Sequence, residues 1–106
     1  MRTLVSINGK QVNRDRARLS VFDNSLLYAE GLFETLLAVE DRLQFERLHL
    51  ERLRAGAGAI GLRLPYRQEK IGQWMREAAA EHPSHVKKIR LTVTSGESVR
   101  WIGRQG

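Results

Sequence analysis

The chain has 106 residues, 18 basic and 12 acidic side chains for a formal net charge of +6, and a 42% hydrophobic fraction. A chain of this size buries roughly 65% of the surface it exposes when unfolded, enough for one modest core, so a multidomain architecture and intrinsic disorder are both excluded. No apolar run approaches the roughly 18 residues needed to span a bilayer. With no cysteine there is no disulfide framework, thiolate metal site or cysteine nucleophile, and the opening Met1-Arg2-Thr3-Leu4-Val5-Ser6 has no signal-peptide character; the expectation is a cytoplasmic protein.

Val5 and Ile7, then Asn8-Gly9, then Lys10-Gln11-Val12 predict a hairpin, because Asn-Gly tolerates the positive φ angles of a type I′ turn. Leu19 to Phe22 form another short apolar run. Asp23-Asn24-Ser25 can cap a short helix or turn carrying Leu26, Leu27 and Tyr28, which Gly31 interrupts. The run from Leu32 to Val39 is long enough for a well-buried strand, and Glu40-Asp41-Arg42 reads as a turn into a partner strand at Leu43-Gln44-Phe45. The period then changes. Leu50, Leu53, Ala57 and Ile60 lie on one face of a helix spanning roughly Leu48 to Ile60, with Gly61 as its C-cap. Gly56 and Gly58 inside it suggest close packing against another backbone. Pro65 starts a second helical pattern with Ile71, Trp74, Met75 and Ala78 toward the core, ending near His82-Pro83. Lys88 to Thr94 alternates and is rich in β-branched residues, a strand ended by Ser95-Gly96. The order predicts an α+β two-layer sandwich, a mostly antiparallel sheet with two helices on one face.

Fourteen of the 18 cations are arginine, and several stand beside an acid, as in Arg14-Asp15-Arg16 and Glu51-Arg52. Only Arg100-Trp101-Ile102-Gly103-Arg104 resembles the interleaved stripe of a nucleic-acid surface, so that partner is disfavoured. Arg52 borders the apolar stripe of the first long helix with His49 one turn before it, and its planar fork suits a phosphate or a carboxylate. Taken alone, such an arginine is a solvated residue or an ion-pair partner. Glu34 interrupts an apolar strand and is expected to pair with a neighbouring arginine. Arg90 alternates with Ile89 and Leu91, so it faces solvent or lines a cavity on the other side of its strand. His49, His82 and His85 lack metal-ligand spacing, and no phosphate-binding loop, dinucleotide fingerprint or nucleophile elbow is present. No catalytic residue and no metal site are assigned.

Taken in order, Ile7-Asn8-Gly9-Lys10, Asp23 to Tyr28, Ala29-Glu30-Gly31-Leu32-Phe33-Glu34-Thr35, His49-Leu50-Glu51-Arg52-Leu53 and Lys88-Ile89-Arg90 resemble the N-terminal domain of the class IV pyridoxal-phosphate aminotransferases. That family includes branched-chain aminotransferase, D-amino-acid aminotransferase and aminodeoxychorismate lyase. The resemblance implies that Arg52 grips the phosphate of pyridoxal 5′-phosphate, that His49 supports the helix bearing it, that Tyr28 and Phe33 line the substrate pocket, and that Arg90 lies near the substrate carboxylate. It also implies a dimer. Three departures stand out: Ala29-Glu30-Gly31 replaces the more usual Gly-Asp-Gly, Ser95-Gly96-Glu97-Ser98 replaces the arginine and glycines of lyase-like members, and the family's Schiff-base lysine and pyridine-side carboxylate have no counterpart. Lys10, Lys70, Lys87 and Lys88 do not occupy that lysine's position, and nothing around them in sequence suggests the desolvated pocket a catalytic amine requires. The expectation is therefore that residues 1–106 form a single N-terminal domain without the C-terminal catalytic domain, inactive alone and prone to self-association through uncovered apolar surface. The alternative from another class is a non-catalytic basic module that binds an acidic partner or nucleic acid through Arg14, Arg16, Arg18 and the basic tail.

Overall fold

Asn8 and Gly9 both take positive φ, 51° and 82°, and close an antiparallel hairpin between β1 (Val5–Ile7) and β2 (Lys10–Val12). The computed structural model describes residues 3–97; the basic tail from Arg100 to Arg104 lies outside them. Gly9 rests on the indole of Trp74, so closely that a Cβ there would lie 2.2 Å from Trp74 Cε2. After a 3-10 turn at Arg14–Arg16, the apolar run at Leu19 to Phe22 forms no strand and stays exposed.

Asp23 caps the short helix α1 (Asn24–Tyr28), which ends as Ala29 turns left-handed at φ 56°. Three strands then build the main sheet: β3 (Gly31–Val39), β4 (Arg42–Leu43) and β5 (Val86–Thr94), in the order β4-β3-β5 and all antiparallel. The β3 and β5 strands pair over nine residues, from Gly31↔Thr94 to Val39↔Val86. The partner strand expected at Leu43-Gln44-Phe45 is cut short because Phe45 adopts φ 56° and turns the chain into α2 (Glu46–Ile60).

Strand alternation sends Leu32, Glu34, Leu36 and Ala38 of β3, with Lys87, Ile89, Leu91 and Val93 of β5, to one face of the sheet. There α2 and α3 (Gln68–Glu81) cover them, which is the predicted two-layer arrangement. Leu36, Leu50, Leu53, Ala57, Ile71 and Met75 form the heart of the core, and Leu53 is its largest fully buried side chain. The helices meet where Gly72 lets Glu46 approach and Arg76 pairs with Glu46 at 2.5 Å.

Several local expectations are corrected. The second long helix begins at Gln68, after Pro65 and Tyr66, and buries Ala79 more completely than Ala78. Ile60, at the end of the α2 stripe, is exposed. Gly56 makes ordinary contact with the Leu32 side chain and meets no other backbone, and nothing in the structure explains Gly58. Lys87 occupies an inward register position opposite Ala38, so it is buried, and its Nζ donates to the backbone carbonyl of Glu40 at 2.6 Å. Desolvated surroundings therefore do exist for one lysine, at the end of the sheet.

Candidate functional site

Glu34 points into the helix-covered side of the sheet from a strand whose other inward residues are apolar. A carboxylate there needs donors to offset lost hydration. Helix α2 supplies them one turn apart: Arg52 donates to Glu34 through Nε at 3.0 Å and Nη2 at 2.7 Å, and His49 Nδ1 lies 2.7 Å from Glu34 Oε1. Hydrogen bonds from Arg52 hold the Glu34 carboxyl below its ordinary range; burial opposes this, and His49 adds to it. Glu34 in turn pushes the Arg52 guanidinium up.

The pair is asymmetric. The Glu34 side chain is 8% exposed and that of Arg52 69% exposed. A guanidinium has five N–H donors, and the Glu34 bonds use one on Nε and one on Nη2. The rest have no protein acceptor among the described residues. Arg52 is thus a cation anchored along one edge with its other edge available to an anion. The donor chemistry fits a phosphate ester.

Phe33 and Glu34 are successive strand residues, so Phe33 points to the opposite, outer face of the sheet, where it is 57% exposed. Arg90 joins it there, its Cζ 4.1 Å from the centre of the Phe33 ring. Of the two options for Arg90, the solvent-facing one is observed: the side chain is exposed on the outer face, with an aromatic ring as neighbour. Tyr28 sits at the last turn of α1, at the margin of exposure. The structure thus brings Phe33 to Arg90, and Arg52 to Glu34 and His49, on different faces of β3. It does not gather Arg52, Tyr28, Phe33 and Arg90 into one hollow. A hollow of about 280 Å³ adjoins the outer face, bordered by Thr35, Leu37, Phe45, His49 and Lys88. A second, of about 540 Å³, lies along Pro65 to Gln73, away from all of these.

Sequence reasoning gave Glu34 an arginine partner but no place in the site; an acid inside an apolar strand, followed by a His-x-x-Arg helix, was the available signal. It missed the clasp that positions α1. Thr94 Oγ1 donates to Asp23 at 3.1 Å, Asn24 Nδ2 to Ser95 at 2.9 Å, and Asn24 N to the Gly96 carbonyl at 2.8 Å. Burial pushes the Asp23 carboxyl up, but donors from Ser25 and Thr94 outweigh it and hold it below its ordinary range. No group of three or more histidines and carboxylates poised to hold a metal occurs among the described residues.

Residues 31–101, which carry β3, the Arg52 helix and β5, match the family model described as amino-transferase class IV. The chain belongs to the class IV aminotransferases. It is 31% identical over 98 residues to the D-alanine aminotransferase of Staphylococcus epidermidis, covering 92% of this chain and 35% of that enzyme. Among solved structures, 4-amino-4-deoxychorismate lyase from Pseudomonas aeruginosa superposes with a TM-score of 0.68 at 32% identity, over 86% of this chain and 31% of the lyase. The branched-chain aminotransferase of Thermoproteus uzoniensis, solved with norvaline, does so with a TM-score of 0.73 at 28% identity, over 82% of this chain and 31% of that one. This class IV chain spans about a third of the length of the curated relatives it matches. Among its described residues no helix is long and apolar enough to cross a membrane.

Proposed function

We propose that this chain supplies the phosphate-holding arginine and one wall of the substrate pocket of a pyridoxal-phosphate enzyme, an aminotransferase or an aminodeoxychorismate lyase. The observation that carries the reading is Arg52: a guanidinium fixed along one edge by a buried carboxylate, with free donors along the other. When bound, the cofactor supplies an electron sink for carbanion chemistry at the substrate. Arg52 holds its phosphate, Glu34 and His49 orient Arg52, Phe33 gives an apolar wall, and Arg90 faces the substrate carboxylate, with Tyr28 at the pocket rim.

The 106 residues by themselves do not carry out the reaction. Lys10, Lys70 and Lys88 are exposed, and the buried Lys87 is committed to the Glu40 carbonyl. No lysine is thus poised as the pocket amine that the chemistry requires. Leu19, Val21 and Leu26 are among the apolar side chains left open to solvent, and they support association with another chain or a second copy, a dimer in the simplest case. The reading as a basic interaction module draws no support from the relatives.

Pyridoxine 5′-phosphate, which has the ester but no aldehyde, tests the clamp without reaction at surface lysines. The chain is expected to bind it in preference to pyridoxine, and Arg52→Gln is expected to abolish the preference while the circular dichroism spectrum stays unchanged. Equal binding of the two compounds, or a preference that survives Arg52→Gln, refutes the clamp. Tight binding to DNA or RNA at physiological ionic strength that falls steeply with salt would favour the module instead.

A further inference from the structure

The main sheet has two unlike edges. β4, on one side of β3, is two residues long, whereas β5, on the other, runs for nine. Every second residue of an edge strand turns its N–H and C=O away from the sheet, so the far side of β5 presents a row of backbone donors and acceptors. Among the described residues β5 pairs with β3 alone. It contains no proline or glycine, and its register against β3 runs without a bulge from Val86 to Thr94. Of the devices that usually blunt an edge it has an inward-pointing charge, Lys87, and that residue sits near the start of the strand. Further along, Ile89 and Leu91 face the helices but are only partly buried, so apolar surface is left at the edge as well.

The open stretch has definite ends. At one, the Lys87 ammonium is held by the Glu40 carbonyl, and the His85 carbonyl accepts from the Glu40 N–H at 2.8 Å. At the other, the Gly96 carbonyl accepts from the Asn24 N–H. Between them lie Lys88 to Thr94, roughly 20 Å of strand. Lys88, Arg90, Thr92 and Thr94 alternate on its outer face, and among the described residues neither cation forms an ion pair. Like charges directly opposite one another weaken a ladder, so an added strand has to set uncharged residues across from Lys88 and Arg90.

β5 itself meets that requirement in one register. A two-fold axis perpendicular to the sheet keeps the helices of both copies on one side, so helix-facing residues pair with helix-facing residues. Centred on Ile89, the pairing sets Lys88 against Arg90 of the second copy; centred on Arg90, it sets that residue against itself; centred on Thr92, it shortens the ladder to the stretch from Arg90 to Thr94. Centred on Leu91, it uses all of Lys88 to Thr94, sets Arg90 against Thr92 and Lys88 against Thr94, matches Leu91 with itself and Ile89 with Val93, and leaves Lys87 just outside. We propose that β5 is a self-association edge, which pairs antiparallel with β5 of a second copy of this chain about an axis at Leu91 and joins two three-stranded sheets into one. The contact involves neither Arg52 nor the exposed apolar run at Leu19 to Phe22.

Sedimentation equilibrium of the full 106-residue chain tests this and is expected to show a monomer–dimer equilibrium. Thr92→Lys sets a second cation across from Arg90 at two symmetric places and is expected to weaken the dimer about fivefold; Thr92→Glu sets an acid there and is expected to tighten it about fivefold. Thr92 is exposed, so both variants are expected to keep the circular dichroism spectrum of the parent. Because the chain has no cysteine, single cysteines report the register: Leu91→Cys, at the axis, is expected to cross-link two copies on mild oxidation and Arg90→Cys is not. A chain that stays monomeric at millimolar concentration, a dimer that responds alike to Thr92→Lys and Thr92→Glu, or cross-linking by Arg90→Cys in place of Leu91→Cys overturns the pairing. So does a dimer indifferent to both Thr92 variants and lost in Val21→Ser, which assigns the contact to the Leu19 to Phe22 run instead.

Discussion

Replacing Glu34 with glutamine removes the charge that ties β3 to α2 while keeping the shape of the side chain. In the parent chain the carboxylate accepts from Arg52 Nε and Nη2 at 3.0 and 2.7 Å and meets His49 at 2.7 Å. Hydrogen bonds to a charged group contribute about 1.5–3 kcal/mol each. Arg52 is largely solvated, so water replaces much of what it loses, and the glutamine carbonyl still accepts one bond; the expected loss is about 1–2 kcal/mol. For a domain near this size, that lowers Tm by about 4–8 °C for each kcal/mol. The pH dependence has a definite sign. Because Arg52 chiefly depresses the folded-state pKa of Glu34, the contribution is complete above the unfolded value of roughly 4.3 and is lost as pH falls through the lower folded value. Urea denaturation of both proteins, followed by circular dichroism at pH 7 and again at pH 3, measures this directly. The gap between them is expected to be open at pH 7 and to narrow at pH 3. A variant as stable as the parent at pH 7, or a gap undiminished in acid, refutes the account of Glu34 as an ionised carboxylate held by Arg52.

Two backbone positions give predictions of opposite sign. Gly9 combines φ 82° with contact against Trp74, so Gly9→Ala is expected to cost about 1–2 kcal/mol and to shift the Trp74 indole N–H resonance as the hairpin lifts; an unshifted resonance with unchanged stability contradicts the packing described. Ala29 adopts φ 56° between α1 and β3, a conformation that glycine takes without a Cβ clash, so Ala29→Gly is expected to raise stability by up to about 1 kcal/mol in thermal unfolding, and a fall in Tm would show that the turn is unstrained.

Much of the architecture was legible in the residues themselves because local chemistry and periodicity agree with it. Asn8-Gly9 demands a type I′ turn, Asp23 a cap and Gly61 a helix end, and each is found where the sequence places it. The three-and-four spacing of Leu50, Leu53 and Ala57 and the alternation along β5 fixed which side of those elements is buried, and with it the α+β sandwich; β3, expected to be well buried, instead leaves Phe33 and Leu37 exposed on its outer face. The ordered motifs, together with that framework, identified the family. What remained closed to the sequence were relations between elements distant along the chain. That Glu34 is the acid holding Arg52 depends on where α2 crosses β3, and no local pattern states it. That Lys87 is buried and Lys88 exposed follows from the register of β5 against β3, because a shift of one residue would exchange their faces. The same register stacks Arg90 on Phe33 and leaves Lys88 unpaired beside it, so the charge pattern of the outer face is set by strand pairing, which only the folded chain decides.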